Sequence, residues 1–254
     1  MNKLKSKLLL GEKIYGTLVS TSETCFSELM GEVGYGCVWI DMEHGHMSCK
    51  DTLAHIISAR ASGAASLVRL PQNDLTVTKK VLEMGPDAIL FPMLGSAEEV
   101  RRAIESTLYP PLGTRGFGPI RAIGYGVRDA GEYVRGESLE LCRFVQIEDA
   151  RLLCELDEVM KIPYVDGFII GPNDLSASLG DFLNVFGEKT FSTVRKTVKT
   201  LKENRKIVGL AVGMNEDALE KWASLSPDMI FAGADWCFVC ASAKSTLETM
   251  KKFI

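Results

Sequence analysis

Four short segments of this 254-residue chain gather side chains that can bind metal, grip anions or move protons. They are Asp41-Met42-Glu43-His44-Gly45-His46, Arg69 between Val68 and Leu70-Pro71, Gln146-Ile147-Glu148-Asp149, and Gly171-Pro172-Asn173-Asp174. Each follows a short apolar or β-branched run, so each polar group stands where a buried strand ends. Glu148 and Asp174 offer hard carboxylate oxygens, which suit Mg2+ or Mn2+ with the remaining positions left to water and substrate; Co2+ and Zn2+ are further candidates. Taken alone, either carboxylate is better explained as a cap on the helix that follows it, a role open to Asp149 as well. The Arg69 guanidinium can hold a carboxylate or enolate oxygen, and the structural alternative is an ion pair with Asp41 or Glu43. His44, beside Glu43, can carry a proton, because imidazole as a class titrates near neutral pH, and His46 competes for that role. His55 falls inside a helical pattern and reads as a helix-face residue with no chemical task.

The elements that position these groups alternate regularly. Strand candidates lie at 14–19, 37–42, 65–70, 88–93, 143–147, 165–170, 207–212 and 228–232, and a helical pattern follows each, as at 23–33, 48–62, 97–107 and 191–204. Eight βα units in one domain spanning residues 1–254, with no linker and no GxGxxG after the first strand, predict a closed (β/α)8 TIM barrel rather than an open sheet. Barrel active sites sit at the C-terminal ends of the strands, so the four segments converge on one mouth. The exception to the alternation is 109–136, rich in Gly, Pro and Arg, whose length suggests a binding loop or lid.

Composition narrows the partners. A net charge of −4 without a long basic run gives no electrostatic reason to expect nucleic acid or an anionic membrane, so a small molecule is the expected partner. The apolar run 8–10 is too short for a signal peptide, and no stretch nears the roughly 18 apolar residues of a membrane span, which predicts a cytoplasmic protein. The seven cysteines are odd in number and scattered, as expected of reduced thiols; Cys237 and Cys240 form a CxxC, but no second pair accompanies it and the placement is helical. No lysine stands at a strand end, which argues against Schiff-base aldolase chemistry. Lys13, Lys161 and Lys206 precede strands instead.

With these residues in view, the chain resembles the HpcH/HpaI family of class II pyruvate aldolases over almost its whole length. The matching segments are Trp39-Ile40-Asp41-Met42-Glu43-His44, Val68-Arg69-Leu70-Pro71, Phe91-Pro92-Met93, Tyr109-Pro110-Pro111-Leu112-Gly113-Thr114-Arg115-Gly116, Val145-Gln146-Ile147-Glu148 and Gly171-Pro172-Asn173-Asp174-Leu175-Ser176. The resemblance implies a divalent metal on Glu148 and Asp174, pyruvate or its enolate held by Arg69 and Gln146, and His44 in proton transfer. It also implies an acidic partner for that histidine on the helix after strand three. Glu83 stands there, where many relatives carry Asp. Asn173 occupies a substrate-side position that is small in many relatives.

The implied reaction is cleavage of the C3–C4 bond of a 4-hydroxy-2-oxo acid to pyruvate and an aldehyde, or the reverse addition. His44 or a water on the metal is the base. Two other readings share the residues: a citrate-lyase-β-like enzyme acting on a coenzyme A thioester, and a barrel that binds a 2-oxo acid without turnover. The resemblance further implies a homo-oligomer, a hexamer arranged as a trimer of dimers that swap the last helix. Residues 236–254 are expected to form that helix, with one buried apolar face. Arg115, Arg121, Tyr125 and Arg128 are expected to approach a neighbour's pocket and select an acidic or polar aldehyde.

Overall fold

In a computed structural model describing residues 2–254, eight parallel strands close into a barrel in sequence order. They are β1 (Ile14–Val19), β2 (Cys37–Asp41), β3 (Ala65–Arg69), β4 (Ala88–Phe91), β5 (Cys142–Ile147), β6 (Gly167–Ile170), β7 (Ile207–Val212) and β8 (Met229–Ala234). The helices are α1 (Lys3–Leu9), α2 (Cys25–Val33), α3 (Cys49–Ala61), α4 (Leu75–Met84), α5 (Ala97–Glu105), α6 (Ala130–Arg135), α7 (Ala150–Cys154), α8 (Leu156–Val159), α9 (Pro172–Ser178), α10 (Glu188–Glu203), α11 (Glu216–Ala223) and α12 (Asp235–Met250). β2, β3 and β4 end one or two residues earlier than the apolar runs suggest, because the chain turns at the polar groups of the mouth. None of the described helices is long and apolar enough to cross a membrane.

Alternation along the strands sorts two cores. Val38, Ile40, Val68, Ile89, Val145 and Phe168 face the helices, while Cys37, Trp39, Leu67, Leu90, Phe144 and Ile169 fill the barrel. Gly16 makes room in that interior: a Cβ there would lie 2.4 Å from the Phe231 ring. Phe231 in turn meets Trp39 edge to face, with ring centroids 5.2 Å apart. The opening segment belongs to this core. In α1, Leu4 and Leu8 are buried among the interior residues and plug the N-terminal end of the barrel. Asn2 caps that helix and also donates to the Asp87 carbonyl, and Lys5 pairs with Asp166 at 2.9 Å.

One expectation is corrected. The segment 109–136 lies between α5 and β5, and a helix-to-strand connection in a barrel returns to the N-terminal end, away from the mouth. It folds there into one 3-10 turn and α6, packed through Tyr109, Ala122, Ile123 and Tyr133, and is therefore no lid over the chain's own site. Within one chain the last helix leaves its apolar residues uncovered. In α12 only Asp235 is buried, while Trp236, Val239, Leu247 and Met250 are each more than half exposed.

Candidate active site

The same alternation that fills the barrel carries polar groups to its top. Asp41 follows Cys37 and Trp39 on the inward face of β2, Arg69 follows Leu67 on β3, and Gln146 then Glu148 continue the Cys142–Phe144 column of β5. Asp41 and Arg69 are register partners across β2 and β3. Both are buried, and Arg69 donates from Nε to Asp41 Oδ1 at 2.9 Å and from Nη2 to Oδ2 at 2.5 Å. Its Nη1 lies 2.9 Å from Glu43 Oε2, off the hydrogen-bonding direction, so that contact is ionic. The guanidinium also sits 5.0 Å above the Trp39 ring. The ion pairs weighed for Arg69 are thus both present. They leave one N–H on each terminal nitrogen free, in a fork whose orientation is fixed.

Glu148 is 3% exposed and does not cap the helix that follows. Its Oε1 accepts the Met93 backbone N–H at 2.5 Å, and its Oε2 accepts from the Gln146 amide. Burial, with the charges of Glu43 and Asp174 added, outweighs the Met93 N–H and Arg69 and pushes the Glu148 carboxyl up to about 7. Burial likewise raises Glu43, against the opposing pull of Arg69. Gly171 borders the group: a Cβ there would stand 3.2 Å from Gln146 Nε2 and 3.5 Å from Glu148 Oε2, closing in on the space beside the carboxylate. Capping after β5 falls to Asp149, which accepts the Arg151 N–H at 2.8 Å and pairs with its guanidinium.

Asp174 lies in the first turn of α9, exposed toward the mouth, with no hydrogen bond or ion pair to its carboxylate among the described residues. Asn173 beside it is exposed as well. His44 stands on the loop after β2 with its side chain 67% exposed, and its nearest carboxylate is Glu43 at 3.9 Å. His46 is exposed, whereas His55 is locked in the core between the Ser27 hydroxyl at 2.7 Å and the Thr21 carbonyl at 2.9 Å. The structure does not bring Glu83 to His44 within one chain. Glu83 instead pairs with buried Arg115 at 2.9 Å, because α4 carries it back toward the base of the barrel, and its second oxygen has no partner.

Sequence reasoning placed Asp41 and Glu43 only as partners of Arg69; the structure adds both to a cluster of four carboxylates around one guanidinium. The period-two columns of β2 and β5 carried the signal for Asp41. The Met93 amide was missed, since a backbone donor has no side-chain signature. Met93 holds it in place with a left-handed φ of 54°, a strained conformation for a residue other than glycine.

Comparison with known proteins agrees with this geometry. The HpcH/HpaI aldolase/citrate lyase family matches residues 16–238. A hydroxypyruvate/pyruvate aldolase of Roseobacter denitrificans is 31% identical over 228 residues, covering 88% of each chain. A 4-hydroxy-2-oxo-heptane-1,7-dioate aldolase of Escherichia coli is 27% identical, covering 96% of this chain and 93% of the relative. The crystal structure of an HpcH/HpaI aldolase/citrate lyase family protein from Burkholderia cenocepacia superposes with a TM-score of 0.93 at 25% identity, covering 99% of this chain and all of the other. The mouth of clustered carboxylates and clamped arginine, the closed barrel beneath it and these matches lead to one conclusion: the chain belongs to the HpcH/HpaI aldolase/citrate lyase family and is a lyase of the aldolase kind.

Proposed function

We propose that the chain cleaves a 4-hydroxy-2-oxo acid into pyruvate and an aldehyde, and catalyses the reverse addition, with a divalent cation held by Glu148 and Asp174. The observation that carries this reading is the buried, charge-crowded Glu148 beside a guanidinium with two free N–H groups. Four carboxylates against one arginine leave a surplus of negative charge that a cation would neutralise, and the Gln146 Oε1 is buried without a partner. Glu148 and Asp174 would supply two carboxylate oxygens and leave the other positions of a cation to substrate and water. The names of the Roseobacter and Escherichia relatives support the 2-oxo acid class. We further propose a cytoplasmic homo-oligomer.

A divalent cation held by Glu148 and Asp174 would supply Lewis acidity to the bound 2-oxo acid. Arg69 donates its two free N–H groups to the oxygen that gains charge as the C3–C4 bond breaks, and the Asp41 clamp keeps that fork aimed. Gln146 gives one amide N–H to Glu148 and presents the other to the substrate. His44 takes the C4 hydroxyl proton as C4 becomes the aldehyde carbon, and protonation of C3 then completes the pyruvate methyl group. Asn173, exposed beside Asp174, borders the aldehyde portion.

The function is tested by assaying pyruvate release from a panel of 4-hydroxy-2-oxo acids, with and without chelator. Release without coenzyme A that chelator abolishes and Mg2+ or Mn2+ restores is the expected result; inertness toward the whole panel would refute the reading. Cation binding must displace a proton from Glu148, so affinity is expected to fall by up to about tenfold per pH unit below pH 7 and to level off above it. Calorimetric titration across pH 5.5–8.5 checks this, and a flat profile would remove Glu148 from the ligand set.

Arg69→Lys keeps the charge but not the planar fork that engages Asp41 and substrate together. Its kcat/KM is expected to drop on the order of a hundredfold, equivalent to about 3 kcal/mol. Unchanged kinetics would leave Arg69 with a purely structural role. For His44→Ala, exchange of the pyruvate methyl protons with solvent is expected to slow while cation affinity holds. Greater damage from His46→Ala would transfer the proton role to His46.

A further inference from the structure

The end of the barrel opposite the mouth holds a cavity of about 500 Å3, within the size range of small-molecule sites. The strands span four to six residues, which puts it roughly 15–20 Å below the catalytic residues. Its walls come from α1, from the starts of β3 to β5 and from the 109–136 excursion. Lys3, Lys7, Arg60, Arg121 and Arg128 line it, with Arg115 at its inner wall.

The carboxylates present do not balance these cations. Arg128 pairs with Glu137 and Arg115 with Glu83, but Lys3, Lys7, Arg60 and Arg121 have no carboxylate within ion-pair distance among the described residues. Asp87 and Glu140 also line the cavity; Asp87 Oδ2 is taken by the Ser66 amide and hydroxyl, each at 2.9 Å. Burial, then the neighbouring Arg60 charge, hold Arg121 below its ordinary pKa, so these guanidiniums repel one another.

A bland account is that the arginines cap the C-terminus of α4. Arg60 does donate to the Gly85 carbonyl at 3.1 Å, and Arg121 to that of Met84. That uses one N–H from each and leaves most of both forks free. It explains neither the two lysines nor Arg115, which is 2% exposed and keeps a buried Nε–H without a partner. Such a group is expensive to bury unless something accepts from it.

We propose that this basal cavity binds a small, multiply charged oxyanion, a phosphate ester or a polycarboxylate, separately from the catalytic mouth. Forks from Arg60 and Arg121 engage oxygen pairs, the lysines add charge at the rim, and the excess cationic charge that repels itself in the free protein is neutralised on binding.

The test is isothermal titration of the full-length protein with inorganic phosphate and, separately, with tricarballylate at constant ionic strength. Saturable one-to-one binding of at least one probe is expected, phosphate alone indicating a phosphate ester and tricarballylate alone a polycarboxylate. The Arg60→Gln/Lys3→Gln double variant is expected to weaken it by about tenfold or more while aldolase turnover stays within about twofold. Lys7→Glu, at an exposed position with no structural bond to lose, should weaken it as well and guards against misfolding of the double variant. Absence of saturable binding, undiminished affinity in both variants, or loss of binding in Arg69→Lys instead, which would place the anion in the catalytic mouth, would each overturn the proposal.

Discussion

Glu148→Gln is expected to lower turnover by at least about a thousandfold, some 4 kcal/mol of transition-state stabilisation, without unfolding the protein. The side chain keeps its size and can still accept the Met93 N–H, but it no longer offers a carboxylate to a cation. Stability separates this outcome from simple damage. The folded pKa of Glu148 is about 7 against an ordinary 4.5, so the folded state holds that proton more tightly than the unfolded state. The stability it contributes is complete below about pH 4.5 and is lost as pH rises through 7. A permanently neutral glutamine escapes that loss. At pH 8 without metal, the variant is therefore expected to be more stable than its parent, by on the order of 2 kcal/mol. Added Mg2+ should raise the parent's melting temperature and leave the variant's unchanged. Asp174→Asn is expected to be similarly inactive but to lack the stability gain, since its carboxylate is exposed and unpaired. Substantial activity in either variant, or a metal-dependent melting shift in Glu148→Gln, would dissociate the pair from cation binding.

The barrel was legible because its strands are buried on both faces and so read as short, nearly unbroken apolar runs between amphipathic stretches. The first and seventh runs match β1 and β7 residue for residue; β6 was read two residues too long at its start, where Val165 is buried in the turn before the strand. The position of Arg69, Gln146 and Glu148 was legible for a related reason. A polar residue that interrupts a buried strand at its C-terminal end has only the barrel mouth to face.

The plug was illegible because a seven-residue helix with two buried leucines carries too few residues to show a period. The basal excursion was misplaced for a different cause: loop length and composition drew attention, whereas chain order already assigned it to the other end of the barrel. Glu83 was assigned from resemblance alone, and the sequence holds no local signal that α4 would direct it to Arg115.

Removing residues after Trp236, or substituting Leu247→Glu together with Met250→Glu, is expected to break a homo-oligomer into inactive smaller species. α12 runs for 16 residues, about 24 Å, yet only its first turn is anchored, by Asp235 accepting from Ser20 and Thr21, with Phe238 resting near Tyr35. Beyond that turn, Val239, Leu247, Met250 and Phe253 are all more than half exposed, a run of apolar surface that a free-standing helix gains nothing by presenting to water. Exchange of this helix between two copies buries the same residues without new chemistry, and a two-fold contact of that kind repeated three times gives the hexamer we expect. Loss of activity is expected with loss of assembly, because the carboxylate that resemblance assigns to His44 is not supplied from within the chain. Glu83 pairs with Arg115 instead, and Glu43 of the same chain comes no nearer to His44 than 3.9 Å, so a neighbour is the expected source of such a group. The paired glutamates are the cleaner test, since Leu247 and Met250 lie on the exposed part of the helix while truncation also removes Phe238, which packs on the core. Light scattering with activity measured on the same fractions decides the matter: a fully active particle of 27.9 kDa would show that one barrel is sufficient.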